Sequence, residues 1–419
     1  MILTLLAGAW AGRALAQDAP APSAADPSRC KIGVQAQIED CDASLAQSAD
    51  PKTRAQRLFV RAYLKNDRQL YESAITDLDE ALRLDPDHPE YLHERGYTLG
   101  ALGRYEEAIR DLDAQVKQQP DQANGYTERA FSELPLARFD DLWRDRNKAV
   151  ELSPGDGEAL IGRARAAMWL GRFEDARNDV NAAAEMAKTQ TEGTLQKDAD
   201  DFSGVLTRWA TPSGAADPDK RCRDVWEAVK TDGRAFAEPN LIGDCTAAYF
   251  KAATPKAKAE LLTIRSVAWQ VVPDDAAATD DATIAVALDP DNSDLHLNLG
   301  FLYLGERHSW AAEKQFDMAI AKKPDDMNYA GRAQARLNQG KYDDAFADAK
   351  KSFELKPNQL SLSVLGDLAW FVRHDAKSAK LYWMGAWSLG EHDDSLRERL
   401  KLVGVDDPAK EPADPPAKR

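Results

Sequence analysis

Residues 89–122 read PEYLHERGYTLGALGRYEEAIRDLDAQVKQQPDQ. Counted from Pro89 as position 1, this stretch has Gly at positions 8 and 15, Tyr at 17, Ala at 20, a large apolar residue at 24 and Pro at 32. Small and large residues recur at these offsets in windows that begin 34 residues earlier and later. A repeat of this length is typical of stacked helical hairpins. The sequence therefore predicts helices throughout.

The pattern resembles the tetratricopeptide repeat (TPR), although Leu92, Arg95 and Gln115 depart from the residues that this family favours. The resemblance implies an all-α, right-handed superhelical solenoid. In each hairpin, helix A and helix B would pack antiparallel. We expect Gly96 to face Ala108 where the two backbones approach most closely, and Gly103 to end helix A in a left-handed conformation.

A longer repeat indicates that a whole module was duplicated. Offset by 204 residues, the chain aligns without a gap over 41–87 and 245–291, and Cys41 then matches Cys245. We expect two arrays of about four hairpins each. The predicted layout is a signal peptide (1–16), a spacer and disulfide-stapled helix (17–54), array 1 (55–190), a capping helix and linker (191–220), a second stapled segment (221–258), array 2 (259–393) and a tail disordered at its end (394–419).

The beginning of the chain has the features of an export signal. An apolar stretch over 1–10 is followed by Ala14-Leu15-Ala16, which is a small-residue cleavage pattern. The stretch is too short to span a bilayer, and no other window is apolar enough. The net charge of −16 argues against binding to nucleic acid. We therefore expect a soluble periplasmic or secreted bacterial protein that is cleaved near Ala16.

The four cysteines are Cys30, Cys41, Cys222 and Cys245. An even number of cysteines in an exported chain favours disulfide bonds, and four allow three pairings. Because one pair precedes the repeats in each half, the duplication selects Cys30–Cys41 and Cys222–Cys245. Each disulfide would hold a segment over the open end of a repeat array, which needs a cap. Two such pairs ahead of TPR hairpins resemble a group of exported bacterial TPR proteins.

Catalytic and metal-binding patterns are weak. His88 and His93 are five residues apart, so they do not share a helical face as a zinc pair would. Acidic pairs such as Glu106-Glu107 fall at the start of helix B, where carboxylates complement the helix N-terminus. We therefore expect no enzyme activity, no cofactor and no metal. The competing hypothesis is a cell-envelope enzyme, or a subunit of one, with its site in the non-repeat region 191–258.

The concave surface is the better candidate for a binding site. The family resemblance implies that helix A lines this surface. Position 9 of the first array carries an aromatic ladder that ends in an arginine, and position 5 adds two further rings; the residues are Tyr63, Tyr97, Phe131 and Arg165, with Phe59 and His93. Such a ladder suits a protein or peptide partner in the cell envelope. The alternative is that the rings pack against the next hairpin. The second array departs from the ladder, since position 9 holds Val267, Phe301, Gln334 and Asp367.

The predicted pairing can be tested by titrating free thiols in the native protein. We expect none, because both disulfides would form in an oxidising compartment. Each closure should stabilise the fold by about 2–4 kcal/mol. Four reactive thiols in exported material would contradict the prediction.

Overall fold

The structure is a computed structural model that describes residues 26–32, 36–48, 50–188, 194–232, 240–269, 275–390 and 392–410. Within these ranges the chain forms 21 α-helices and no β-strand. The prediction of an all-α helical-repeat fold is therefore confirmed. The predicted signal peptide and the end of the C-terminal tail lie outside the described residues. Among the described helices, none has the length and apolar character needed to cross a membrane.

The first compact unit ends at Ala210. It contains the stapled helix α1 (Ile38–Gln47), the first array, and α10 (Thr194–Ala210), which packs against the last hairpin. The four hairpins of the first array are α2 (Pro51–Asp67) with α3 (Tyr71–Leu84), α4 (Pro89–Ala101) with α5 (Tyr105–Gln118), α6 (Ala123–Glu133) with α7 (Phe139–Leu152), and α8 (Gly157–Trp169) with α9 (Phe173–Ala187).

The second compact unit begins at Thr211. Its stapled helices are α11 (Pro218–Asp232) and α12 (Leu241–Lys251), and α21 (Asp394–Leu402) follows the last hairpin. The four hairpins of the second array are α13 (Pro255–Trp269) with α14 (Asp275–Leu288), α15 (Ser293–Gly305) with α16 (Ser309–Lys322), α17 (Asp326–Asn338) with α18 (Tyr342–Leu355), and α19 (Gln359–Asp367) with α20 (Ala376–Ser388).

The hairpin turns share one backbone geometry. Gly103 ends helix A with φ 68°, as predicted for a left-handed cap. In every described turn of this kind, the residue at position 15 has a positive φ, whether or not it is glycine. The others are Gln69, Ala137, Gly171, Arg307, Gly340 and His374. The packing of the two helices therefore imposes the turn even where glycine is missing.

Helix packing depends on a large residue at position 24. A Cβ atom added to Gly96 would lie 2.6 Å from Cγ of Leu112, which corrects the expectation that Gly96 faces Ala108. Ala108 instead lies near Gly100. In the second array, Phe316 stands at position 24. Its Cε1 atom would lie 2.7 Å from a Cβ atom added to Gly300 and 2.3 Å from one added to Gly331 of the next hairpin. Phe316 thus packs against two successive A helices.

A repeated ion pair joins the two helices of most hairpins. The arginine at position 7 donates two N–H groups to both oxygens of the aspartate at position 23, and Arg95 binds Asp111 in this way at 2.6 and 2.9 Å. We call these six contacts the Arg–Asp pairs. They are Arg61–Asp77, Arg95–Asp111, Arg129–Asp145, Arg163–Asp179, Arg265–Asp281 and Arg332–Asp348.

Each of these arginines also bonds to the helix that precedes its own hairpin. Arg95 reaches Asp79 at 2.9 Å, and Arg129 reaches Asp113 at 2.7 Å. Arg265 donates to Thr246 of α12 instead. The guanidinium therefore couples one hairpin to the element before it, which is the kind of nearest-neighbour interface that stabilises repeat arrays.

The segments ahead of the arrays place the cysteines in pairs. The sulfur atoms of Cys30 and Cys41 lie 2.08 Å apart, and those of Cys222 and Cys245 lie 2.03 Å apart. The aspartate before the second cysteine of each pair also fixes the incoming chain. Asp40 accepts the backbone N–H of Asp26, and Asp244 accepts that of Ser213.

Replacing Asp281 with Ala tests the Arg–Asp pairs at their most buried member. Both side chains of the Arg265–Asp281 pair have no solvent exposure, so the variant leaves a buried charge without its partner. We expect the free energy of unfolding to fall by about 3–5 kcal/mol, measured by urea denaturation.

The matched control is the double variant Arg265→Met with Asp281→Leu. Because it removes both charges and keeps the volume, it should recover most of the lost stability. A single variant as stable as the wild type would show that the pair does not hold the hairpin.

Candidate functional site

Three aromatic side chains form a row on the A helices of the first array. Tyr63 on α2, Tyr97 on α4 and Phe131 on α6 are 47%, 41% and 53% exposed. They occupy the same position in three consecutive hairpins. We call these three residues the aromatic row. Each of these side chains is therefore about half exposed, and none is fully packed against the next hairpin.

The members of the row lie close to one another. Partial burial is the main cause that raises the pKa of the Tyr97 hydroxyl, and Tyr71, Glu128 and, least of all, Tyr63 add to that increase from nearby. The ring of Phe131 lies against α4, where its Cδ1 atom would be 3.9 Å from a Cβ on Gly100. The absence of a side chain at Gly100 leaves room for this ring.

Phe59 and His93, the two predicted groove residues at position 5, are more buried than the aromatic row. Phe59 is only 8% exposed, and its ring centroid is 5.0 Å from that of Tyr91. It is therefore a core residue, and its assignment to the groove surface is corrected. His93 is partly buried, which lowers its pKa, and its Nε2 atom is buried without a hydrogen-bond partner.

The second array does not repeat the row. At position 9, Val267, Phe301 and Asp367 are all buried. The Phe301 ring packs edge-on against Phe316, with centroids 5.2 Å apart. The two duplicated arrays thus differ in the exposure of this position, as well as in its residues.

Buried polar groups lie on the same helices as the aromatic row. The Asn66 amide donates hydrogen bonds of 2.7 Å to Glu94 Oε1 and to Thr98 Oγ1. Burial raises the pKa of the Glu94 carboxyl, and it also raises that of Glu128. Both carboxyls are therefore more readily protonated than exposed glutamates.

Arg146 on α7 is a residue that the sequence analysis missed. It stands at position 24, where the other hairpins have Leu, Val, Phe, Trp or Ala. Because the repeat pattern predicts an apolar core residue at this position, the pattern gave no indication of a charged side chain there. A Cβ on Gly162 of α8 would lie 2.9 Å from its Nη1 atom. Burial, and then the nearby Arg165, lower the pKa of Arg146 to about 10.

Arg165 continues the aromatic row at position 9 of the fourth hairpin. Its guanidinium carbon lies 6.0 Å from the ring centroid of Phe202 on α10. It is partly buried, and it is close enough to Arg146 to disfavour the charge there. Two cationic side chains therefore lie at the end of the row that is nearest to α10.

Glu133 is the most perturbed carboxyl in this region. It lies at the end of α6 and is almost fully buried, and its Oε2 atom has no hydrogen-bond partner. Burial, with a smaller contribution from Asp145, raises its pKa to about 8. The side chain is therefore mostly neutral at pH 7.

The described part of the non-repeat region 191–258 contains the helices α10, α11 and α12 and the start of α13, with non-helical segments at 211–217 and 252–254. The Asp244 carboxylate in this region is fully buried. It accepts hydrogen bonds from Ser213 and forms an ion pair with Arg221. Across the described ranges, no cluster of three or more His, Cys, Asp or Glu side chains is arranged to hold a metal ion.

Comparison with known proteins gives one family match, over a short part of the chain. A family model described as tetratricopeptide repeat matches residues 78–110. No curated protein matches the chain in sequence.

Among solved structures, a TPR protein from Parabacteroides merdae is 16% identical, with 83% of this chain and 98% of that chain covered and a TM-score of 0.31. Yeast Tom70 is 11% identical, with 88% and 91% covered and a TM-score of 0.33. A TPR protein from Thermus thermophilus is 14% identical, with 60% and 99% covered and a TM-score of 0.30. At such low identities and TM-scores, no partner or activity transfers to this chain.

The buried Glu133 carboxyl predicts a pH dependence of stability. Its pKa in the folded protein is above the ordinary value of 4.5, so the folded state binds the proton more tightly than the unfolded state. The stabilisation from this proton is complete at low pH and is lost as the pH rises towards 8.

We therefore compare the wild type with Glu133→Gln, which is neutral at every pH, by urea denaturation between about pH 5 and pH 8. The stability of the wild type relative to the variant should fall with rising pH by at most about 1.4 kcal/mol per unit. A constant difference between the two proteins would contradict the prediction. Glu107→Gln, at an exposed carboxyl, is the control and should show no such trend.

Proposed function

We propose that this protein is a non-catalytic TPR scaffold of the bacterial periplasm that binds a protein or peptide partner through the aromatic row. The observation that carries the proposal is the exposure of Tyr63, Tyr97 and Phe131 at equivalent positions of three consecutive hairpins. Soluble proteins rarely leave aligned aromatic surface in water without a use for it.

The chemistry of the row suits a protein partner. Aromatic side chains dominate the energetics of interfaces, because each buries a large apolar area at a small cost in conformational entropy. The two tyrosines also keep a hydroxyl that can hydrogen bond at the rim. Truncation of such residues at interface centres typically costs about 2 kcal/mol or more.

The rigid scaffold supports binding without a large rearrangement. The Arg–Asp pairs hold α2, α4 and α6 to their own B helices, so the three rings are presented on supported helices. Because these side chains are already held in place before a partner binds, little free energy is lost in ordering them on binding.

The proposed location rests on two features of the chain. Residues 1–16 resemble a secretory signal. The four cysteines form two pairs at bonding distance, and none is free. Disulfides are common in the periplasm and rare in the cytosol.

The competing hypothesis, a cell-envelope enzyme with its site in 191–258, gains no support from the described part of that region. The Asp244 carboxylate there is engaged in fixing the chain ahead of α12. We therefore keep the scaffold as the proposed function.

A photo-crosslinking amino acid at position 97 tests the aromatic row directly. In cells that express the full chain, we expect an adduct with a discrete partner in the periplasmic fraction. The variant Tyr63→Ala with Phe131→Ala should abolish that adduct, because the crosslinker alone leaves too little aromatic surface for binding.

Tyr342 supplies the matched control, since it is a similarly exposed aromatic residue of the second array. A crosslinker at position 342 should not capture the same partner, and Tyr342→Ala should leave capture at position 97 unchanged. Capture that survives the loss of Tyr63 and Phe131 would reject the row as the binding surface, and an adduct found only in the cytosol would reject the location.

A further inference from the structure

We propose that Glu94, Tyr63 and Tyr97 bind a lysine or arginine side chain, so that the partner of the aromatic row is a protein segment with a cationic residue beside its apolar residues. We call these three residues the cation subsite. The inference rests on the proposed function, because it specifies the chemistry of the segment that the row binds.

The first observation is the place of Glu94 beside the row. Glu94 and Tyr97 are three residues apart on α4, so their side chains lie on the same face of that helix. Burial and four neighbouring acidic or phenolic groups raise the pKa of the Tyr97 hydroxyl; these groups are Tyr71, Glu128, Glu94 and Tyr63. The surface around Tyr97 therefore combines aromatic rings with carboxyl groups.

The second observation is that Glu94 has a neutral hydrogen-bond partner and no counterion. Glu94 is 9% exposed, and its Oε1 atom accepts a hydrogen bond from the Asn66 amide. Within the described part of the chain, no ion pair reaches this carboxyl. Burial raises its pKa, and only the hydrogen bond from Asn66 opposes that change. A cation beside Glu94 would favour its charged form, which the protein itself does little to stabilise.

The second oxygen of Glu94 is available to a ligand. Among the described residues Oε2 has no hydrogen-bond donor, yet it is not one of the enclosed polar atoms without a partner. This oxygen therefore reaches the surface. The Asn66 amide, which also donates to Thr98, holds the other oxygen in place. The carboxyl is thus oriented before a ligand binds, which lowers the cost of binding.

The third observation is the distribution of charge along the row. At the end near α8, Arg165 follows the aromatic residues, and Glu128 and Arg146 each favour the charged form of the other. On α4, Glu90 lies one turn before Glu94; it is exposed and forms no ion pair in the described ranges. The negative charge without a counterion is therefore concentrated at α4, and a cationic side chain should lie there rather than near α8.

A lysine or arginine side chain suits both parts of the cation subsite. Ammonium and guanidinium groups bind to the faces of tyrosine rings, and Tyr63 and Tyr97 are 47% and 41% exposed. The same groups form charge-assisted hydrogen bonds with a carboxylate such as Glu94. An acidic segment would instead be repelled at α4. The net charge of −16 also favours the approach of a cationic segment over an acidic one.

The experiment selects ligands without assuming a partner. The immobilised full chain is used to select from a displayed library of random dodecapeptides, and the best sequence is synthesised with both ends blocked. We expect selected peptides to combine aromatic or aliphatic residues with a Lys or Arg. Replacing that residue with its neutral isostere, norleucine for lysine or citrulline for arginine, should weaken binding roughly tenfold. Added salt should weaken the cationic peptide more than the neutral peptide.

The variant Glu94→Gln gives the sharpest test, because glutamine keeps the size of the side chain and can still accept the Asn66 hydrogen bond. It should weaken binding of the cationic peptide to the level of the neutral peptide and leave the neutral peptide unaffected. Tyr63→Leu, which removes an exposed ring, should also weaken the cationic peptide more than the neutral one. The matched control is Glu107→Gln, which removes one negative charge on α5 and should change neither affinity. Urea denaturation checks that the variants are folded.

Several outcomes would overturn the cation subsite. These are selected peptides without Lys or Arg, equal binding of the cationic and neutral peptides, an equal loss for both peptides in Glu94→Gln, no loss for either peptide in that variant, or failure to select any peptide.

The aromatic row is tested separately with the double variant Tyr97→Ala and Phe131→Ala, which should weaken both peptides. Unchanged binding by this variant would reject the row and the proposed function with it. Weaker binding of both peptides here, together with no effect of Glu94→Gln, would uphold the row and reject the cation subsite alone.

Discussion

The Arg–Asp pairs are the interaction on which the arrays depend. Each arginine binds the B helix of its own hairpin through two hydrogen bonds and the helix before that hairpin through a third, so a single side chain fixes both the hairpin and its stacking on the preceding element. The two charge-assisted hydrogen bonds form only when the guanidinium and the carboxylate are correctly oriented. Contacts between alanine and leucine side chains impose no such requirement. A buried charge also has no acceptable alternative partner, which makes slipped arrangements of the helices unfavourable.

Position 24 differs in chemistry among the hairpins of one scaffold. In most hairpins this position is apolar and closes the gap between two A helices. In the third hairpin the slot holds Arg146, and the neighbouring Gly162 makes space for it. The Arg–Asp pairs of the third and fourth hairpins, at Arg129 and Arg163, are formed beside it. One repeat position therefore holds either an apolar or a charged residue while the ion pairs that join the helices are kept.

Local patterns predicted the hairpins well and their contacts less well. The left-handed turn at Gly103 was correct, yet Ala137 and His374 adopt the same conformation without the glycine signal. Gly96 was expected to face Ala108, but a Cβ there would meet Leu112, because spacing along a helix does not reveal which residue of the partner helix fills the gap. Phe59 was placed on the surface and is buried against Tyr91. Arg95 was noted only as a departure from the family pattern, although its recurrence together with an aspartate 16 residues later is visible in the sequence.

The sequence by itself determined the period, the helical class, the duplication and the pairing expected for the cysteines, because these follow from spacing and from residue types along one dimension. Only the tertiary structure decided which aromatic residues face water and which charges lack a partner. Tyr63 and Phe59 are four residues apart on one helix, and the first is exposed while the second is buried. Exposure and charge pairing depend on the helices that pack around a residue, and those neighbours are brought together from distant parts of the chain.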